Sequence, residues 1–510
     1  MIVLVNHPGL RIKGGLQIQS PAPPIGLAYL GAYIKQNGVS YTAIDACGMA
    51  LDKIFPYPGV EDALIQGLNA QEVLALIPKD TRIVGFTCLF SYCWNLVLDL
   101  ASEVRKAFPN VIIVAGGEHP TALPESVFFK KGIIDLIIYG EGEETLLELV
   151  HILEGGKDWQ NIAGIIYEND DVIAKNPPRK RVKNIDQFPF PDWDSWCIRE
   201  YISSNQVSGI NLGTQMPILG SRGCPYACTF CSNELMWGRC FIMRSSKSIV
   251  DEMECMKKKY GVEGFTFMDS TFIVNRRKTI EFCDELISRK ININYQLPAG
   301  TRCEAFNEEL VFKLEKSGLK NFALAPESGS SYILKITKKQ IDINNLIYGL
   351  KYILKTHMTV GCFIVIGFPE DNEKTMKETL KLVRRIAILG VHDITVSQFV
   401  PYPGSQYFHR FQKEGLFSKN YSELVHTISF FEKSGISFCK TMSKERLYFW
   451  MIYIFWNFYI ISFSIRPWRF MNNLLSFFAH GVENTRYMRF FSTKIRLLSP
   501  RRIVKKISAR

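Results

Sequence analysis

Residues 221–232 read SRGCPYACTFCS and place Cys224, Cys228 and Cys231 within eight residues. Three thiols at that spacing wrap one loop around a soft metal centre. A structural zinc site takes four ligands, usually from two separated Cys-x-x-Cys knuckles, and the next cysteine, Cys240, lacks that spacing. A disulfide would leave one of the three unpaired, and a reducing compartment disfavours it. A cubane iron–sulfur cluster on three thiolates fits better, because its fourth iron then stays open to a substrate or cofactor.

The chain that must position this loop has 510 residues, 47% hydrophobic and 22% charged. That is enough for two or three domains with real cores, and too apolar for disorder. The opening MIVLVNHPGL has a short apolar run with no basic residue ahead of it, so it reads as a strand and not as a signal peptide, which places the chain in the cytoplasm. Thirteen cysteines without a paired secretory framework are expected to be reduced. Cys47, Cys88, Cys93, Cys255, Cys283, Cys303 and Cys362 have apolar neighbours and read as small core residues. The net charge is +12, but the stretch from Asn484 to Arg510 carries nine cations and no acid. The rest is close to neutral, so the basic balance does not argue for nucleic-acid binding by the folded body.

Along residues 1–155, runs such as IVLV, RIVGFT and NVIIVAGG alternate with helical-period stretches, predicting right-handed βαβ units and a doubly wound, Rossmann-like parallel sheet. Ligands of such sheets lie beyond the carboxyl ends of the strands. Three loops qualify there, HPGLRIKGGLQIQSPAPPIG, TCLFSYCW and GGEHPTALPE, and GEGEE at Gly140 to Glu144 opens another helix. Each is also compatible with an ordinary βα turn. Residues 156–210 hold a hairpin-like segment and a Pro- and aromatic-rich linker expected to pack over an edge. From 211 to 415 the alternation restarts for about six strand–helix units, fewer than the eight of a closed barrel, so a partial (β/α)6 barrel is expected. Residues 416–510 form a helical extension, aromatic and then basic.

The phrases RGCPYACTFCS, FMDSTF, TRCEAF, APESGS, IVIGFPED and FVPYPGS, with PPIGLAYLGAYIKQNG, VAGGEHPT, IIYGEGEET and FPFPDWD ahead of them, resemble the radical S-adenosylmethionine proteins that carry an N-terminal cobalamin-binding domain. The resemblance covers about residues 1–415 and is closest to the methyltransferase-like subgroup. It implies that Cys224, Cys228 and Cys231 hold a 4Fe-4S cluster whose open iron binds S-adenosylmethionine. Tyr226 or Phe230 would pack beside the adenine, and either could equally be an aromatic that fills the barrel mouth. Asp269, Arg302, Glu327 and Ser328 would stand at strand ends and bind S-adenosylmethionine, although Arg302 and Glu327 could instead pair with each other. Gly367 would let a late strand approach the adenine or ribose. Gly117, His119, Gly140 and Glu141 would lie at the cobalamin.

Two departures from the family pattern stand out. Ser270 follows Asp269 where many relatives have a second acid, which puts a bidentate acidic role in doubt. The Asp-x-His-x-x-Gly pattern of histidine-ligated cobalamin proteins is absent, and His119 on its loop reads as a hydrogen-bonding wall residue, so cobalamin is expected without a protein histidine on cobalt.

The implied activity is methylation of an unactivated carbon of a small-molecule or lipid substrate, with a second S-adenosylmethionine remethylating cobalt and a flavodoxin or ferredoxin supplying electrons. Alternatives are a cobalamin-dependent oxidative cyclase or ring-rearranging enzyme and, from another class, a non-catalytic iron–sulfur protein at a membrane surface. The last is motivated by LYFWMIYIFWNFYIISFSI, Leu447 to Ile465, which has no charge and leads through RPWRF to the basic tail. A helix packed on the barrel is the first reading of that segment, peripheral contact with the inner face of the membrane the second, and a span the third.

Overall fold

The computed structural model describes residues 1–12, 21–60, 63–204, 209–302, 304–418, 421 and 436–480. They form two compact units. The first comprises Met1–Gln206, Gly220–Ser248 and Val400–Ser429; the second comprises Val207–Leu219, Ile249–Phe399 and Phe430–Arg510. The cysteine loop and the FVPYPGS turn thus group with the N-terminal segment.

In the first unit, strands Ile2–Asn6, Tyr41–Asp45, Ile83–Thr87, Ile112–Gly116 and Leu136–Ile138 are parallel. Ile2–Asn6 lies between Tyr41–Asp45 and Ile83–Thr87, as expected of a doubly wound sheet. Val3, Val5, Val84, Ile113, Leu136 and Ile137 are almost wholly buried, because a parallel sheet is covered on both faces. Helices Ile25–Gln36, Trp94–Ala107 and Glu143–Glu154 accompany it. The hairpin-like segment is a hairpin at one end of the sheet. Its strands Ile165–Asn169 and Val172–Lys175 join the sheet antiparallel to Leu136–Ile138 and to each other. Asp170 and Asp171, at φ 46° and 67°, supply the paired left-handed residues that a tight hairpin turn demands. Sequence alternation did not foresee a small antiparallel sheet of Gly9–Ile12, Ala63–Gln66 and Ile54–Pro56, whose strands are too short to show a period.

In the second unit, six parallel strands follow one another in chain order: Gln215–Ile218, Gly264–Phe267, Asn294–Thr301, Leu319–Glu327, Thr359–Ile366 and Asp393–Gln398. The first and last do not pair, so the barrel is partial. Phe267, Phe272, Phe282 and Tyr295 pack ring against ring at 4.5–5.7 Å between the strands and helix Arg276–Ser288, on the outer face of the barrel wall. Near the amino ends of the strands, Gln296 Nε2 donates to Gln215 Oε1 at 2.9 Å and to Thr266 Oγ1 at 3.0 Å, while its Oε1 accepts from Ile210 N at 2.9 Å. This satisfied polar layer ties the segment before the first strand across the barrel floor.

The aromatic segment is one helix, Lys444–Ile465, packed against helix Glu373–Leu389 and strand Asp393–Gln398. Leu447, Trp450, Met451, Ile454, Phe458 and Tyr459 form its buried face, the Trp450 indole donates to Glu373, and the Tyr459 hydroxyl donates to Asp393. This is the packed helix expected first; by length and composition alone it is also apolar enough to cross a membrane. The RPWRF cations also find a use. Arg466 donates to the carbonyls of Ala387, Ile388 and Leu389, and Arg469 to those of Gly390 and Val391, which satisfies the open carbonyl end of Glu373–Leu389. The basic tail lies outside the described residues.

Of the cysteines expected in the core, Cys47, Cys88, Cys93, Cys283 and Cys362 are buried and Cys303 lies outside the described residues. Cys255 is exposed: helix Ser246–Tyr260 turns Glu252, Met253 and Met256 inward, and position 255 falls on the opposite face.

Candidate functional site

The cysteine loop is built on a short antiparallel pair, Ser221–Arg222 with Ile242–Met243. Gly223 follows at φ 83°, and a Cβ there would stand 2.2 Å from the Cys240 carbonyl oxygen, so only glycine lets the two backbones approach. The Cys231 amide donates to the Cys228 carbonyl at 3.1 Å and closes the turn between the second and third thiols. Cys224 and Cys228 are half-buried, Cys231 is exposed, and Tyr226 and Phe230 are half-buried between them.

Arg222 fixes the start of this loop. It is 8% exposed and donates from Nη1 to Glu141 Oε1 at 3.0 Å and from Nη2 to Glu143 Oε1 at 2.6 Å. The second oxygen of Glu141 accepts from Val182 N at 3.3 Å and meets Arg181 Nε at 3.4 Å. Both carboxylate oxygens of Glu141 are therefore engaged by protein, and the residue positions the cysteine loop. Gly140 holds φ 75°, and a Cβ there would find nothing nearer than 3.9 Å, so its face is open to a ligand.

From the GGEHPT turn, Glu118 reaches the Ser232 hydroxyl directly after Cys231, and burial pushes its carboxyl above the usual range. Burial also pushes the Tyr402 phenol up, with Cys231 and Glu118 as neighbouring charges. Gly117, at φ 100°, is held by internal packing, since a Cβ would lie 2.7 Å from the Cys88 carbonyl. His119 is 1% exposed, and its Nδ1 and Nε2 each meet a serine hydroxyl at 2.9 Å, those of Ser91 and Ser126. Trp94 lies 5.0 Å from its ring. With both nitrogens engaged by serine hydroxyls and burial pulling its pKa down to about 3, it stays neutral.

That burial has a measurable consequence. As pH falls below 6.5 the unfolded chain protonates His119 while the folded chain resists until about 3, so stability is lost across that window. Relative to His119→Gln, the wild type should lose about 2 kcal/mol more between pH 6.5 and 5. Urea midpoints across that range check this, and parallel pH profiles would contradict it.

In the second unit, Asp269, Arg302, Glu327, Ser328 and Gly367 all stand at or just beyond the carboxyl ends of successive parallel strands. Asp269, Arg302, Glu327 and Ser328 are buried. Arg302 and Glu327 do not pair with each other. Lys339 links them: its Nζ donates to Glu327 Oε1 at 2.9 Å, and its carbonyl accepts from Arg302 Nη1 at 2.7 Å. Arg302 also bonds Glu304 Oε1 at 2.5 Å. Glu327 sits at φ 62°, a left-handed conformation that costs a non-glycine residue about 1–3 kcal/mol and persists where surrounding contacts over-determine it. Ser328 meets the Thr379 hydroxyl at 3.1 Å and accepts from Ser330 N at the same distance, a structural pin. Gly367 has φ 82°, and its amide and that of Phe368 both donate to Asp371 Oδ2 at 2.9 Å. Burial raises the Asp371 carboxyl to about 6. The group that approaches Gly367 is the Leu447 side chain, which a Cβ would meet at 2.8 Å. Sequence reading missed Lys339 and Glu118, whose partners are distant in the chain, and Asp371, whose partners Gly367, Phe368 and Thr375 are local; an acid four residues ahead of Thr375 and next to a helix cap was the one local signal.

Among the described residues no group of three or more His, Cys, Asp or Glu stands close enough to hold a single metal ion. Thiolates sharing one tetrahedral zinc lie about 3.8 Å apart, whereas a cubane takes each thiolate on a different iron and so spreads them. The donor set, three soft thiols on one accessible loop, fits the cluster. For cobalamin, Leu89 and Phe90 beyond strand Ile83–Thr87 are each 53% exposed, an apolar surface suited to a large macrocycle. The strand-end carboxylates of the second unit suit a ligand that carries sulfonium and ammonium charges.

Comparison with known proteins is consistent with this geometry. Residues 14–150 match the B12 binding domain, and residues 218–383 match the radical SAM superfamily. The chain is 28% identical over 394 residues to an uncharacterized methyltransferase, PH0819, of Pyrococcus horikoshii, covering 76% of this chain and 78% of that one. It is 29% identical over 393 residues to the anaerobic magnesium-protoporphyrin IX monomethyl ester cyclase of Rubrivivax gelatinosus, covering 75% of this chain and 66% of that one. Among solved structures, the radical S-adenosylmethionine methyltransferase TsrM of Kitasatospora setae, with cobalamin and a [4Fe-4S] cluster bound, superposes with a TM-score of 0.63 at 17% identity, covering 82% of this chain and 76% of that one. At that identity the likeness concerns the fold.

Proposed function

Because this chain belongs to the radical S-adenosylmethionine superfamily and carries a B12-binding domain ahead of its barrel, we propose that it is an enzyme that methylates an unactivated carbon of a small-molecule or lipid substrate. The observation that carries this reading is a loop with three cysteines in eight residues, anchored through Arg222 to the acids of the GEGEE turn. Its cofactors are a 4Fe-4S cluster, S-adenosylmethionine and cobalamin. Bound, they supply a 5'-deoxyadenosyl radical that removes hydrogen from carbon and a methyl group that replaces it.

Cys224, Cys228 and Cys231 hold the cluster as thiolates, and Gly223 and Arg222 set the loop that carries them. Asp269 and Glu327 would orient S-adenosylmethionine from the strand ends of the second unit; Tyr226 or Phe230, on the cysteine loop, would pack against an adenine. Lys339 holds the Glu327 carboxylate, and Arg302 braces the Lys339 loop. Leu89, Phe90 and Gly140 would offer the corrin an apolar, open surface, and His119 would stay a neutral, protein-bonded residue. The chain's part is to hold the reacting carbon in place and keep water away. The partners are a one-electron donor of flavodoxin or ferredoxin type in the cytoplasm and the inner face of the membrane, which the C-terminal segment touches peripherally.

Anaerobically reconstituted protein given substrate, S-adenosylmethionine and reductant should release S-adenosylhomocysteine and 5'-deoxyadenosine in equal amounts. Absence of S-adenosylhomocysteine would contradict methylation. The comparable likeness to a cyclase favours one second reading, oxidative ring closure, for which 5'-deoxyadenosine would form without S-adenosylhomocysteine.

A further inference from the structure

The outer face of the aromatic helix has a composition that packing on the barrel does not explain. Phe449, Tyr453, Trp456 and Ile460 are 48%, 39%, 39% and 61% exposed, and their spacing of four, three and four residues aligns them in one stripe. The Phe449 and Tyr453 rings stack at 5.6 Å and 9° along it. Beyond Arg466, helix Pro467–His480 adds Trp468, Met471 and Leu475, each more than half exposed. Seven large apolar side chains on two consecutive helices exceed the scattered exposure normal for a soluble surface.

Charge around the stripe selects its occupant. No acid occurs from Arg446 through Val482, and nine cations without an acid follow between Asn484 and Arg510. On the neighbouring helix Glu373–Leu389, Lys377, Lys381, Arg384 and Arg385 are exposed, and Arg384 donates to Asn457 Oδ1 at 2.8 Å and 3.0 Å, which sets that basic rim beside the stripe. Tyr and Trp with their rings in an apolar layer and polar tips at its edge, flanked by Lys and Arg, match the boundary between acyl chains and anionic headgroups. A protein partner would need no such one-sided charge.

We propose that this face, Phe449, Tyr453, Trp456 and Ile460 with Trp468, Met471 and Leu475, seats the protein flat on an anionic bilayer, with the basic rim on the headgroups. The helix lies in the interface and does not cross it, because its opposite face is committed to the barrel. The inference deepens the peripheral contact proposed above and is independent of the chemistry.

Flotation with vesicles of phosphatidylcholine containing phosphatidylserine tests it on the full chain. The wild type should float, and the W456E/I460E/W468E variant should float at least tenfold less with an unchanged melting temperature, since all three sites are exposed. A wild type that stays at the bottom would overturn both this face and the peripheral contact. A variant that floats like the wild type, while removal of residues 481–510 abolishes flotation, would assign binding to the tail alone and overturn the face. Flotation equal on pure phosphatidylcholine would overturn the choice of anionic lipid.

Discussion

Cys228→Ala protein, reconstituted anaerobically with iron and sulfide, is expected to lose the cluster absorbance and to form 5'-deoxyadenosine roughly a thousandfold more slowly than wild type, or not at all. The loop offers only three thiolates, and a cubane left with two has a second uncapped iron exposed to solvent and oxidation. Cys240→Ala is the informative contrast. Its backbone carbonyl packs against Gly223, but its exposed thiol has no part in the proposed ligand set, so iron content and product formation should stay at wild-type levels. Equal losses in the two variants would mean that Cys240 is a ligand and that no iron is left open.

Replacing Arg222 by methionine should destabilise the first unit by about 3–5 kcal/mol. The guanidinium is buried and serves Glu141 and Glu143 at 3.0 Å and 2.6 Å, so its removal takes the counter-charge from buried Glu143 and leaves Glu141 with Arg181 alone, at 3.4 Å. The cost arises from uncompensated charge, and taking the acids away as well should recover most of it. The R222M/E141Q/E143Q protein should unfold at a denaturant concentration close to that of wild type. A single variant that lost less than about 1 kcal/mol would show that the network does not hold the cysteine loop.

The architecture was legible because both parallel sheets are buried on two faces and write themselves as uninterrupted runs such as IVLV and GFTF between helical periods. The strand-end placement of Asp269, Arg302, Glu327, Ser328 and Gly367 follows from the same alternation. The connections between distant residues were not legible. Glu141 reads as a ligand-facing acid of a βα turn, yet its oxygens are turned to Arg222, Arg181 and Val182, all remote in sequence. Glu327 and Arg302 meet through Lys339, a lysine that carries no periodic or motif signal. Gly367 signals a close approach correctly, but a glycine does not say what approaches, and the structure supplies Leu447 from a helix eighty residues later. The Cys255 error has a simpler origin: apolar neighbours in sequence stand on the other side of a helix.

The central claim is that the chain leaves one iron of its cluster for S-adenosylmethionine. Low-temperature electron paramagnetic resonance of the reduced, reconstituted wild type, recorded with and without S-adenosylmethionine, tests it most directly. The account predicts a 4Fe-4S signal whose g-values shift when the sulfonium compound binds. A protein that takes up zinc instead, or a cluster signal that saturating S-adenosylmethionine leaves unchanged, would contradict it.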